Sequence, residues 1–186
     1  RDIVTDDEDD IRTALDRDLD ADVIVTTGGS SVGARDLTPE VLSERGEVLV
    51  HGVAIKPGHP VGIGRIDDTP VLMLPGYPVS CIVNAWLFLR PTIKGILGTE
   101  VVDPPTVTAR VSEKIRSEPG MRTLARVELE RNGADDPAWT ATPVSASGAG
   151  VLSTVALADG WVQVPESVEG IPAGQTVSVE RWEAIL

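Results

Sequence analysis

The stretch VIVTTGGSSVGARD, residues 23–36, joins a strand pattern to a glycine-rich loop. Its apolar, β-branched start is typical of a strand, and the glycines that follow predict a turn. The next residues, TPEVLSERG at 38–46, predict a helix with Thr38 as its cap, Pro39 at its first position and Gly46 as its end. A strand, a loop and a helix in succession are the repeating unit of α/β folds.

The same alternation extends over residues 1–97. The opening residues 5–20 predict a helix with one apolar face, and Thr5 and Glu8 have the spacing of a capping box. The other predicted elements are a fully buried strand at 21–27, a strand at 47–55, a buried strand at 69–75 and a helix at 79–97 that is kinked or ended near Pro91. This order predicts a three-layer α/β domain with a parallel, doubly wound sheet.

The pattern of polar and apolar residues changes after residue 98. The prolines of DPPT at 103–106 interrupt the pattern, and short runs of alternating polarity follow, separated by NG, ADG and PAG turns. We therefore predict a small all-β domain over 103–186, after an α/β domain over 1–97.

The composition limits the classes of partner that the chain is expected to bind. The chain has 29 acidic and 16 basic residues and a formal net charge of -13, which argues against nucleic acid as a partner. The acidic surface predicts adaptation to high salt, as in a halophile, or simply an acidic cytosolic protein. A single cysteine, Cys81, and the absence of a long apolar span predict a soluble protein of the reducing cytoplasm that does not bind a membrane.

Three loops are placed to bind an anion. They are TTGGSSVG at 26–33, KPGHP at 56–60 and LPGYPVS at 74–80, each at or near the carboxyl end of a predicted strand. Glycines, hydroxyls, helix N-termini and a lysine together suit a phosphate or an oxyanion. Each feature alone has an ordinary structural explanation: a glycine pair is most often a tight turn, and Asp6 and Asp7 can serve only to stabilise a helix start.

The three motifs, in this order, resemble the MoeA and gephyrin E-domain family of molybdopterin molybdenumtransferases. The quoted forms are VIVTTGGSSVGARDLT, HGVAIKPGHP and LPGYPVSCIVNAWLFLRPTI, and the resemblance continues into the β-rich remainder. It implies a MogA-like domain, whose N-terminal strand is expected to be missing, followed by a MoeA-type C-terminal domain. It also implies insertion of molybdate or tungstate into adenylated molybdopterin with release of AMP, a requirement for Mg²⁺, and a homodimer in the full-length protein.

The resemblance assigns roles to individual residues. Asp6, Asp36 and Lys56 are the implied catalytic residues, and Asp6 and Asp36 the implied ligands of Mg²⁺. Molybdate is expected at Lys56, His59, Ser80 and Arg126. The residues expected to bind molybdopterin are Thr27, Gly28, Gly29, Ser30, Ser31, Gly33, Pro75, Gly76, Pro78 and Ser80.

Three positions depart from the family pattern. His59 stands where many members have a second lysine, Tyr77 where many have asparagine, and Gly52 where some have lysine. An alternative interpretation is therefore a truncated pterin- or oxyanion-binding or scaffold module without turnover. The related adenylyltransferase of the same pathway is a third interpretation, against which the β-rich tail argues.

Overall fold

The computed structural model describes residues 1–29, 37–133, 139–144 and 152–182. The chain divides into two compact units: Arg1–Val53 with Gly58–Val101, and Ala54–Pro57 with Val102–Leu186. Among the described residues, no helix combines the length and the apolar character that crossing a membrane requires.

The first unit contains helices and strands in alternation. Its helices are α1 (Glu8–Arg17), α2 (Leu37–Arg45), α3 (Pro78–Asn84) and α4 (Arg90–Ile96), with a π-helical turn at Ala85–Leu89 between the last two. Its strands are β1 (Ile24–Thr27), β2 (Glu47–His51), β4 (Gly62–Ile66) and β5 (Thr69–Leu74), whereas β3 (Ile55–Lys56) belongs to the second unit.

The four strands of this unit form a mixed sheet in the order β1-β5-β4-β2. Only β1 and β5 pair in parallel, because β5 pairs antiparallel with β4 and β4 antiparallel with β2. The prediction of a parallel sheet was therefore wrong in strand direction. The reason is the two-residue connection Asp67-Asp68, which is too short for anything but a hairpin; Asp67 has φ 50°, a conformation that such turns require.

Helices cover both faces of the sheet. On one face, Val71 and Met73 of β5 pack with Ile11 and Leu15 of α1 and with residues of α2. On the other face, Leu72 of β5 packs with Val61 and with partly buried residues of α3 and the π-helical turn. Side chains alternate across a strand, so β5 contributes to both cores. The predicted three-layer α/β architecture is confirmed.

Two strand predictions need correction. The strand at 21–27 is not fully buried, because β1 lies at the edge of the sheet and Val25 is 37% exposed. The expected strand at 47–55 is two strands: β2 ends at His51, and the chain then turns at Gly52, whose φ is +89°.

The helix boundaries also differ from the sequence pattern. Asp7 caps α1 by accepting hydrogen bonds from the N–H groups of Asp9 and Asp10, so Thr5 and Glu8 do not form the capping box. α2 already begins at Leu37, which places Thr38 inside it rather than at its cap. The helix that begins at Pro78 continues to Ile96, and the π-helical turn directly before Pro91 accommodates the missing N–H of that proline.

The second unit is a strand-rich barrel. Its further elements are β6 (Thr106–Val111), β7 (Ile115–Arg116), β8 (Arg122–Arg131), β9 (Trp139–Pro143), β10 (Gly160–Val164), β11 (Gly170–Ile171), β12 (Thr176–Arg181) and α5 (Ser153–Leu157). The order β10-β12-β6-β9-β8 closes through the pairing of β8 with β10, and small and branched side chains fill the inside. The predicted β-rich C-terminal domain is confirmed, and α5 is a short helix within it.

Two glycines allow a direct test of the packing of the first unit. A Cβ at Gly64 would lie 2.4 Å from the carbonyl oxygen of Glu47, whereas a Cβ at Gly95, in α4, would meet nothing within 4 Å. We expect Gly64→Ala to lower the free energy of unfolding by about 3 kcal/mol or more, because backbone atoms must move. The matched change Gly95→Ala should raise it by about 0.5–1 kcal/mol through helix propensity. Denaturant unfolding measures both, and equal effects would contradict the close approach of β4 to β2.

Candidate functional site

The glycine loop leaves the sheet beside the end of β5. The Gly28 N–H donates to the carbonyl of Leu74 at 3.0 Å, so the pairing of β1 with β5 continues one residue into the loop. Gly28 and Gly29 have φ of +88° and +64°, values that side chains with a Cβ rarely adopt. A Cβ at Gly29 would also lie 2.7 Å from the Oγ1 of Thr38, so this loop lies against the first turn of α2.

The loop after β5 is in contact with the glycine loop. A Cβ at Gly76 would lie 3.1 Å from the Cα of Gly28, closer than nearly all real Cβ contacts. Both loops follow the carboxyl ends of the parallel strands β1 and β5, where α/β sheets bind ligands. The structure thus brings Thr27, Gly28 and Gly29 together with Pro75 and Gly76.

The start of α3 completes this end of the sheet. Pro78 is its first residue, and its N-cap, Tyr77, makes no side-chain capping hydrogen bond. The N–H groups of a first helical turn have no acceptor within the helix, and the helix dipole is positive there. Ser80 lies in this turn and is buried. An anion near Gly76 would find donors of the kind that bind phosphate.

A buried amide, which the sequence analysis did not identify, supports this region. The side-chain nitrogen of Asn84 donates to the carbonyl oxygens of Ser80 at 2.8 Å and Gly58 at 3.1 Å. A Cβ at Gly58 would lie 1.9 Å from that nitrogen, so only glycine fits there. Asn84 therefore fastens the turn after Pro57 to α3. Its signal in the sequence is a single amide within the apolar run at 79–89.

His59 presents one ring nitrogen to its surroundings. Its Nδ1 lies 2.8 Å from the carbonyl oxygen of Val53, and because a carbonyl only accepts, Nδ1 carries a proton. The exposed imidazole is left with Nε2, which donates to an oxyanion only when the ring is protonated. A Cβ at Gly52 would lie 3.6 Å from the Cε1 of His59, so two of the departures from the family pattern are neighbours.

Lys56 belongs to the second unit. It lies on β3, which pairs in parallel with β8 through Ile55 opposite Arg122 and Lys56 opposite Thr123. Its ammonium forms an ion pair with Glu118, and this hydrogen bond and charge lower the pKa of the Glu118 carboxyl. That Lys56 shares a cleft with Gly28 and Ser80 remains a prediction.

Arg126 is a half-buried cation on β8. It forms no ion pair with any described residue, and its Nε is buried without a hydrogen-bond partner among them. Burial lowers the pKa of its guanidinium, since desolvation disfavours the charged form. A buried, unsatisfied donor of positive charge suits an anionic ligand.

The carboxylate of Asp6 is exposed and makes no hydrogen bond or ion pair with a described residue. Asp7, not Asp6, caps α1, which leaves Asp6 available to a cation. No group of three or more potential metal ligands occurs within the described ranges. The remaining predicted site residues lie outside the described residues: Ser30, Ser31, Gly33 and Asp36.

Comparison with known proteins agrees with this architecture. Residues 1–95 match the family described as "probable molybdopterin binding domain", and residues 108–182 match the MoeA C-terminal region, domain IV. The chain belongs to the MoeA family, whose members take part in molybdenum cofactor biosynthesis.

Individual relatives show the same relationship. The chain is 36% identical over 179 residues to a Methanocaldococcus jannaschii protein named for molybdopterin biosynthesis, covering 96% of this chain and 41% of the relative. It is 33% identical over 172 residues to molybdopterin molybdenumtransferase 2 of Mycobacterium tuberculosis, covering 89% and 40%. The crystal structure of a Pyrococcus horikoshii MoeA protein matches with a TM-score of 0.77 and 36% identity, covering 96% and 42%. The chain thus spans about two fifths of the length of these relatives.

Substitutions of the two neighbouring acids at the start of α1 should have different effects on the free energy of unfolding. We expect Asp7→Ala to lower the free energy of unfolding by about 1 kcal/mol, because two N–H groups lose their acceptor. Asp6→Ala should change it by less than about 0.5 kcal/mol, as is usual for exposed side chains. Asp7→Asn should restore most of the loss. Equal losses for Asp6→Ala and Asp7→Ala in thermal or urea unfolding would show that Asp6 also stabilises the helix.

Proposed function

We propose that this chain contributes the pterin- and oxyanion-binding region of a molybdopterin molybdenumtransferase. In that reaction molybdate, or tungstate, enters the dithiolene of adenylated molybdopterin and AMP is released. The observation that carries the proposal is the contact of the glycine loops at Gly28 and Gly76 beside the start of α3, in a chain of the MoeA family.

The loops would bind the pterin substrate through backbone groups. Gly28, Gly29 and Gly76 have no side chains, so a phosphate or anhydride oxygen can approach their N–H groups closely. Thr27, Pro75, Pro78 and Ser80 shape the same end of the sheet. Such fixed N–H donors stabilise charge on a phosphoryl or oxyanion group without reorganising when it forms. Ser30, Ser31 and Gly33 of the same motif belong to the proposal by sequence.

The oxyanion would meet the cationic residues of the chain. Lys56 has an exposed ammonium, the Nε of Arg126 has no hydrogen-bond partner among the described residues, and His59 donates through Nε2 when it is protonated. Each suits a tetrahedral dianion such as molybdate, since charge-assisted hydrogen bonds to oxyanions are stronger than neutral ones.

Mg²⁺ would be held by Asp6 together with Asp36 and oxygens of the substrate. The ion is commonly bound by one or two carboxylates plus phosphate oxygens, so the exposed carboxylate of Asp6 fits this use. When bound, Mg²⁺ would supply positive charge beside the phosphoanhydride oxygens of the substrate. In this scheme Asp6 orients the ion and Lys56 orients the oxyanion.

A second candidate is a binding module without turnover. The observation that favours it is the pair Gly52 and His59, which replaces lysines of the family by a small residue and a ring already bonded to Val53. The two candidates differ in one measurement. A module binds adenylated molybdopterin without releasing AMP, whereas the transferase releases AMP in the presence of molybdate.

Lys56→Ala should weaken molybdate binding by about 1–3 kcal/mol, the range for the loss of a charge-assisted hydrogen bond. Calorimetric titration of the chain with molybdate measures the change. Lys114→Ala is the matched control, because it removes the same charge from an exposed position of the same unit. Equal affinities for the wild type and Lys56→Ala would remove Lys56 from the site.

Asp6→Asn should abolish magnesium-dependent hydrolysis of adenylated molybdopterin while leaving the melting temperature unchanged. Asparagine keeps the shape of the side chain but lacks the charge that Mg²⁺ prefers. Asp7→Asn is the matched control, since it removes an adjacent carboxylate and keeps a capping side chain. Hydrolysis at the wild-type rate in Asp6→Asn would assign Asp6 no part in metal binding.

A further inference from the structure

The ammonium proposed to receive the oxyanion already has an anionic partner within its own unit. Lys56 is held on β3, where Ile55 is buried and opposite Arg122, and its Nζ donates to the Glu118 carboxylate. A carboxylate and a tetrahedral oxyanion both bind positive charge and accept hydrogen bonds from the same N–H donors. An arriving anion must therefore share this ammonium with Glu118 or displace it.

Glu118 is positioned by the backbone of the turn between β7 and β8. On one side of it, the Ser117 N–H donates to the carbonyl of Glu169 at 3.0 Å. On the other side, the Gly120 N–H donates to the carbonyl of Glu166 at 2.8 Å, and the Met121 N–H closes the turn onto the carbonyl of Glu118 at 3.1 Å. The turn is thus tied at both ends to the connection between β10 and β11, which keeps the carboxylate within reach of Lys56.

The ion pair is open to exchange. The side chain of Lys56 is 49% exposed and that of Glu118 62% exposed, so an anion from solvent can reach the ammonium. Exposed ion pairs are weak because water and salt screen them. Lys56 lowers the pKa of Glu118, and a glutamate carboxylate is ionised at neutral pH, so Glu118 competes there in its charged form.

We propose that Glu118 is an internal competitor for the oxyanion at Lys56. Before the anion arrives, Glu118 holds the ammonium in one place; when a tetrahedral oxyanion binds, the carboxylate leaves the ammonium and turns to solvent. Glu118 thereby sets the affinity of this position for anions and selects against weakly charged ones. The inference rests on the proposed role of Lys56 in oxyanion binding.

The test is titration of the 186-residue chain with molybdate and, in parallel, with inorganic phosphate at low, fixed ionic strength. Glu118→Gln keeps the shape of the side chain and removes its charge. We expect it to tighten molybdate binding by about two- to five-fold, the gain available from releasing an exposed ion pair. Because Glu118 competes with either anion for the same ammonium, the fold gain should be similar for the two probes, and their absolute affinities show which oxyanion Lys56 binds better.

Glu166→Gln is the matched control. Glu166 pairs with Arg122 at 3.1 Å, on the neighbouring part of the same unit, and its side chain is similarly exposed. The change removes the same formal charge without touching Lys56, so it reports the general effect of a less acidic surface. We expect Glu166→Gln to increase the affinity for molybdate clearly less than Glu118→Gln does. In the Lys56→Ala background, Glu118→Gln should give no more than this control.

The outcomes separate this inference from the proposed function. If Lys56→Ala does not weaken molybdate binding, then both the proposed role of Lys56 in oxyanion binding and its competition with Glu118 are overturned. If Lys56→Ala weakens binding but Glu118→Gln behaves like Glu166→Gln, only the competition is overturned. Weaker binding in Glu118→Gln, with an unchanged melting temperature, would also overturn it, because Glu118 would then support Lys56 rather than compete for it.

Discussion

The candidate site in the first unit depends on the close approach of two backbone loops. The Gly28 N–H donates to the carbonyl of Leu74, and a Cβ at Gly76 would lie only 3.1 Å from the Cα of Gly28. This contact exists because β1 and β5 run in parallel and end at the same edge of the sheet. β5 is also the strand whose side chains enter both cores of the unit. The packing that fixes β5 therefore fixes the ends of both loops.

The sequence predicted the local features of this arrangement more reliably than its strand directions. The glycine loop and the helix after Pro78 were predictable because glycine and proline restrict the backbone at their own positions. The mixed sheet was missed, although Asp67-Asp68 between two apolar runs is itself a hairpin signal. Strand order depends on which distant strands pair, and periodicity within one strand carries no information about its neighbours.

The same limit explains Lys56 and Asn84. The KPG motif follows β2 in the chain, but its lysine is on a strand paired with β8, far along the sequence, which no local pattern indicates. Asn84 occurs in a helix predicted from its apolar residues, and its use appears only once Gly58 is brought beside it by the fold. The sequence named Lys56 but not its strand partner or its ion pair with Glu118, and it did not identify Asn84, because these contacts join residues far apart in the chain.

An acidic chain that binds an anion must overcome its own charge, and the two cations proposed for this role would do so differently. With a net charge of -13, the surface repels an anion at long range, so short-range donors must supply the affinity. Lys56 is exposed and already neutralised by Glu118, so an anion there gains only the difference between two similar partners. Arg126 has been partly desolvated without an ion-pair partner among the described residues. An anion that binds beside Arg126 compensates for the hydration that burial has removed, and it displaces no ion-pair partner among the described residues. The half-buried arginine should therefore contribute more to anion affinity than the exposed lysine.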